Sequence, residues 1–163
     1  MPQVKTVEGF RRVGYPTGIL KELAWQLRDV AELPAGFSRA QIKGPEDVFR
    51  AFRFLFDNQP RERFVVIVLN AQHVPQAIDI ITEGTLNASL VHPREVFRAA
   101  VLGVGVSLIV AHNHPSGNSE PSQEDLAITR QLVDGGKLLG IPVHDHLIFA
   151  GDRYTSIAER GQM

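Results

Sequence analysis

The chain has 163 residues, enough for one domain with its own core, or for one domain plus a short extension. Apolar residues make up 44% and charged residues 21%, which excludes a disordered chain. There is no cysteine, so disulfides and thiolate metal sites are excluded, and a net charge of -1 leaves no overall footprint for a polyanion.

The opening stretch MPQVKTVEGFRRVGYPTG has no apolar core region and does not read as a secretory signal. No apolar run approaches the length of a membrane span. The protein is therefore expected in the cytoplasm, with no membrane partner. Residues 1–64 hold 11 Lys and Arg against 8 Asp and Glu, and residues 65–163 hold 6 against 10. This uneven charge reads as ordinary solvation first and as a weak nucleic-acid surface second.

Residues 1–43 are expected to form a helical N-terminal extension. TGILKELAWQLRDVAEL sets Ile19, Leu20, Leu23, Ala24 and Leu27 at helical spacing, with Trp25 as an anchor. The main domain is expected over residues 44–163. It opens on KGPEDVFRAFRFLFDN, where Pro45 suits a first helical position and Glu46 and Asp47 suit the first turn. RFVVIVLN reads as a buried strand, and AQHVPQAIDIITEGTL turns and returns as its hairpin partner. HPREVFRAAVLG reads as a helix from Pro93, with His92 capping or packing at its start. VSLIVAH is a short, wholly apolar strand. EPSQEDLAITRQLVDGGKLLG is a long helix weakened at Gly135-Gly136, IPVHDHLIFAG is a further strand, and RYTSI another. The order predicts an α/β fold, a mixed sheet with helices packed on it.

The chemistry concentrates in VAHNHPSGNSEPSQEDLAIT, from Val110 to Thr129. His112 and His114 stand two apart at the end of a strand, so their rings point the same way. Ser122 and Asp125 stand three apart at a helix start and share a face. The turn-rich PSGNSEP between them can fold the helix start over the strand end. Two imidazoles and a carboxylate leave a fourth position for water, the ligand count of a catalytic zinc. The bland reading is a polar turn before a helix, with Ser122 and Asp125 as a capping box. Taken separately, each half of the pattern favours that bland reading.

The full spacing is His-x-His, seven residues, Ser, two residues, Asp. It resembles the JAMM motif of the JAB/MPN metallohydrolases. Gly84-Thr85, VHPREVF, AHNHPSG, PSQED and DHLIFAG are similar to the RadC branch of that superfamily, over about residues 44 to 160. The resemblance implies a JAB/MPN, cytidine-deaminase-like architecture with zinc held by His112, His114 and Asp125. It implies Glu62 in RERFVVIVLN as the base, ahead of Asp57, Glu83 and Glu120, and Ser122 as a donor to the oxyanion. Asp145 and His146 would orient a ligand from behind it, whereas His144, Asp145 and His146 as a second metal site are disfavoured. His73 reads as a turn residue.

The activity implied is that of a zinc metallopeptidase acting on an amide or isopeptide bond of a protein or peptide. The alternatives are a metal-dependent nuclease or DNA-repair factor, and a non-catalytic interaction domain. The first 43 residues show no helix-hairpin-helix of the kind RadC-like proteins often carry, so the chain reads as a short form.

Overall fold

The structure, a computed structural model, describes residues 13–15, 18–20, 40–84, 91–102 and 105–163. Two compact units divide the chain, Met1–Leu33 and Pro34–Met163. In the first, strands β1 (Val13–Tyr15) and β2 (Gly18–Leu20) pair antiparallel, with Val13 opposite Leu20. Ile19 and Leu20 thus stand in a strand, not at the head of a helix. The intervening Pro16 and Thr17 are turn-forming by residue type, which favours a hairpin over a continuous helix. Leu23, Ala24, Trp25 and Leu27 lie outside the described residues.

The second unit is built on a five-stranded mixed sheet. In chain order its elements are α1 (Pro45–Phe52), a 3₁₀ turn (Arg53–Leu55), β3 (Glu62–Leu69), β4 (Pro75–Gly84), α2 (Pro93–Val101), β5 (Ser107–Asn113), α3 (Gln123–Leu139), β6 (Val143–Ala150) and β7 (Arg153–Ser156). The strand order is β4-β3-β5-β6-β7. β5 and β6 run parallel, joined through α3, and every other pair is antiparallel. No helix among the described residues is long and apolar enough to cross a membrane.

β3 and β5 read as unbroken apolar runs because they are central strands covered on both faces. Val65, Ile67, Leu69, Ile109 and Ala111 pack with Val48, Phe49 and Phe52 of α1. Their neighbours Phe64, Val66, Val68, Leu108 and Val110 pack with Val96 and Phe97 of α2 and Ile128 and Leu132 of α3. The alternation is the strand's twofold period, and it fixes which residues can reach the site. Phe64 lies opposite His112, on the α2–α3 side.

α3 starts on Ser122, whose side chain accepts from the Asp125 amide while Asp125 reaches back to the Ser122 amide, a complete capping box. It ends on Gly140 in the left-handed conformation (φ 68°). The helix runs unbroken through Gly135-Gly136, and close approach requires glycine at the second of them. A Cβ on Gly136 would sit 2.5 Å from the Ile141 carbonyl oxygen, and one on Gly135 would sit 3.3 Å from the Phe97 ring. α3 thereby lies against α2, with its N-terminus beside the carboxyl end of β5.

Candidate metal centre

Strand β5 delivers its last residues to the edge of the core without exposing them. His112 is fully buried and Asn113 nearly so. The ladder continues one residue further, since the His114 amide donates to the Phe149 carbonyl at 2.8 Å. His114 is therefore held as a strand residue, and its ring projects on the same side as His112. The ring centroids are 4.8 Å apart. The loop then turns back under restraint. The Gly117 amide donates to the His114 carbonyl at 3.0 Å, and Arg153 donates to the Gly117 carbonyl at 3.1 Å. Arg160 grips both Glu120 oxygens at 2.7 Å. This path sets the first turn of α3 against the two imidazoles.

The three donors converge. His112 Nε2 and His114 Nε2 are 2.9 Å apart. Asp125 Oδ1 is 3.2 Å from the first, and its Oδ2 is 3.4 Å from the second. Metal–ligand bonds of about 2.0–2.2 Å in a tetrahedron put neighbouring ligand atoms about 3.3–3.5 Å apart, so this set is already near the size of a zinc or similar ion. The chemistry agrees with the geometry. His114 Nδ1 lies 2.7 Å from the Asn118 carbonyl, which can only accept, so that nitrogen carries the proton and Nε2 of the neutral ring presents a lone pair. That lone pair faces another imidazole nitrogen and a buried carboxylate, an arrangement that could hold a metal ion. Among the described residues these three form the one group of His, Asp and Glu with ligand atoms mutually close enough to hold a metal.

The electrostatics favour a negative carboxylate beside a positively charged partner. Burial works to raise the Asp125 carboxyl, but His112, His114 and the Ser122 hydroxyl outweigh it and hold Asp125 well below the usual carboxylate range. His114 is raised by its hydrogen bond to Asp125, against the effect of burial, and the nearby charge of Glu62 adds to the rise.

The other sequence-selected residues fall into two groups. Glu62 opens β3, two residues before Phe64, so antiparallel register brings it opposite the position of His114. It lines a cavity of about 570 Å³ with Arg61, Gly84, Pro115 and Ser116. The Ser122 hydroxyl donates to Asp125 Oδ2 at 2.7 Å. The buried His146 ring sits behind His112, with Nε2 2.8 Å from His112 Nδ1. Asp145 turns to the opposite face, where it accepts from Ser156 Oγ at 2.6 Å and the Ala158 amide at 3.0 Å, tying β6 to the C-terminal turn. The rival carboxylates are engaged elsewhere: Asp57 with Arg53, Glu83 with Arg63 and Glu120 with Arg160. His92 stands at the N-cap of α2 without a side-chain capping bond, and His73 takes a left-handed turn conformation (φ 57°).

Residues 42–162 match the RadC-like JAB domain family. The chain belongs to that family. A "UPF0758 protein" of Salinibacter ruber is 48% identical over 76% of this chain and 53% of its own length. One of Methanosarcina mazei is 40% identical over 86% of this chain and 59% of its own length. Another, from Desulforamulus reducens, is 36% identical over 97% of this chain and 70% of its own length. The chain thus spans little more than half the length of most of the curated relatives it matches. The His-x-His…Ser-x-x-Asp spacing read from the sequence is the set of side chains that this fold brings together.

Two residues that sequence reasoning passed over also belong to the centre. Thr129 Oγ1 lies 2.6 Å from His146 Nδ1 and donates to the Asp125 carbonyl at 2.6 Å. Its helical spacing, four after Asp125 and seven after Ser122, was the available signal. Asn113 is the middle letter of His-Asn-His. Its side chain accepts from the Arg63 amide at 2.8 Å and donates to the Arg61 carbonyl at 3.1 Å, gripping the backbone on both sides of Glu62. No periodicity flags it, because a strand residue between two convergent histidines points away from them.

Proposed function

We propose that this protein is a zinc-dependent hydrolase that cleaves an amide or isopeptide bond in a protein or peptide. The observation that carries the reading is the convergence of His112, His114 and Asp125 at coordination spacing beside Glu62. His112 Nε2, His114 Nε2 and the Asp125 carboxylate would hold zinc, which supplies Lewis acidity and a water of lowered pKa at a fourth position. The Glu62 carboxylate accepts a proton at the mouth of the site and returns it to the leaving nitrogen. Ser122 Oγ–H, turned from Asp125, donates to the oxygen on which negative charge develops.

The choice of an amide over a phosphodiester rests on the charge around the site. The second flanking cavity, of about 530 Å³, is lined by Arg53, Asp57, Asp152 and His114 among others. Together the two cavities present two arginines, Arg53 and Arg61, against the carboxylates of Glu62, Asp57 and Asp152. Arg53 is itself paired with Asp57 and Asp152. A DNA backbone needs uncompensated cations along its track, whereas a polypeptide does not. This weighs against the nuclease reading, and the intact ligand set weighs against a purely non-catalytic interaction domain.

The test is to measure zinc per chain in wild type and Asp125→Ala purified without chelator, then to screen both against isopeptide-linked and linear peptides and against DNA. The expected result is about one zinc in wild type, none in the variant, and zinc-dependent amide cleavage lost in Glu62→Gln. DNA cleavage without peptide cleavage would replace the reading. A wild type that takes up no zinc on reconstitution would end it.

A further inference from the structure

We propose that Thr129 and His146 form a proton-ordering relay that fixes which nitrogen of His112 is bare, and so prepares His112 Nε2 as a metal ligand. The inference rests on the metal-site reading above and concerns how the site is made ready.

Protons can be counted along one buried chain: the Asp125 carbonyl, Thr129 Oγ1, His146 and His112. A carbonyl oxygen can only accept, so the single hydroxyl proton of Thr129 is committed to the Asp125 carbonyl at 2.6 Å. Thr129 Oγ1 therefore has only lone pairs left for His146 Nδ1, also at 2.6 Å. That contact requires the proton on His146 Nδ1. A neutral imidazole carries one proton, so His146 Nε2 is bare and must accept. Its partner at 2.8 Å is His112 Nδ1, which therefore donates. The remaining nitrogen, His112 Nε2, is left as a lone pair, and it is the atom that faces His114 and Asp125.

Burial makes the order compulsory. Thr129, His146 and His112 are each fully buried, so no water can satisfy a misdirected proton. The packing holds the rings as well. Phe64 stacks on His112 at 6.1 Å between centroids and meets His146 edge-on at 5.5 Å. The relay begins on the main chain of Asp125, which is itself a ligand, so the helix that supplies the carboxylate also sets the imidazole. A neutral imidazole behind His112 adds no negative charge, unlike the carboxylate that often orients a ligand histidine.

The test uses Thr129→Val, which keeps the shape and removes the hydroxyl, and Thr129→Ser, which restores it. Zinc affinity of the full chain is measured by competition with a chromophoric chelator. The ring protons are located by ¹⁵N NMR of the histidines, with and without zinc. Expected in wild type are protons on Nδ1 of both His112 and His146. Thr129→Val should move the His146 proton to Nε2 and weaken zinc binding about 10- to 100-fold, the usual cost of losing an outer partner of a ligand. Thr129→Ser should recover both. The relay is overturned if wild-type His146 carries its proton on Nε2, if Thr129→Val binds zinc as wild type does, or if it loses affinity with the ring protons unmoved. Should Thr129→Val fail to fold, the wild-type proton positions decide alone. A wild type that binds no zinc ends the metal reading instead, and is told apart because the ring protons are still read in the metal-free protein.

Discussion

The chain contains His-x-His twice, and the two copies behave differently. In His112-x-His114 both rings reach one point, with a buried carboxylate between them. In His144-x-His146 they part. His146 turns inward behind His112, while His144 is exposed and meets His73 at 4.7 Å between ring centroids. The cause is register. Leu108 pairs with Val143 but Ile109 pairs with Asp145, so one step on β5 spans two on β6, and a bulge falls at His144. A bulge breaks the rule that i and i+2 share a face. The same three-letter spacing therefore yields two convergent rings on a regular strand, and on a bulged one a buried residue plus a surface residue.

The largest expected effect separates the two copies directly. His112→Ala should abolish stoichiometric zinc binding, while His144→Ala should leave it within about twofold, both measured by metal analysis after reconstitution. Zinc loss in His144→Ala would mean that the second copy takes part after all.

Acidity probes the first copy further. The His114 pKa is raised above its ordinary 6.5, so a metal must displace a proton from it until the pH passes that raised value. Asp125 stays ionised throughout, since its pKa is depressed. Zinc affinity should rise about tenfold per pH unit below the His114 titration and level off above it, with roughly one proton released per zinc, as calorimetry in two buffers would show. In the metal-free protein the sign reverses. A raised folded pKa stabilises most below 6.5, and that contribution is lost as pH rises through the folded value. A flat affinity from pH 6 to 8 would show that His114 does not titrate on binding.

Between the two histidines of the first copy, Asn113→Ala leaves the Arg63 amide and Arg61 carbonyl without their side-chain partner. A loss of roughly 1–3 kcal/mol is expected, measured by urea denaturation, with zinc stoichiometry kept and Glu62-dependent turnover reduced. The smallest effect is at the helix cap. Ser122→Ala should cost about 1 kcal/mol of stability, because the capping box goes while Asp125 keeps its histidine neighbours. A cost near zero would mean that the loop clamped by Arg153 and Arg160 holds the helix start unaided.

Much of this molecule can be read from residues close together in the chain. The buried runs of β3 and β5, the proline-led helices α1 and α2, the capping box at Ser122 and Asp125, and the inward pairing of His112 with His114 all follow from periods of 2.0 and 3.6 residues and from local hydrogen bonding. The grouping of His112, His114 and Asp125 was legible for that reason, since both its halves are short-range patterns. Other features rest on contacts between distant segments. The register of β3 against β5 brings Glu62 to the position of His114, and the bulge in β6 divides His144 from His146. Asp145 leaves the site because its face of β6 belongs to Ser156 and Ala158. Thr129 joins the site because α3 lies over β6, and Gly136 keeps the helix close. Chain order specifies which side a residue presents, but partner, register and burial are settled only when the strands pair and the helices pack. Those alone decide which lone pair is left bare at the centre.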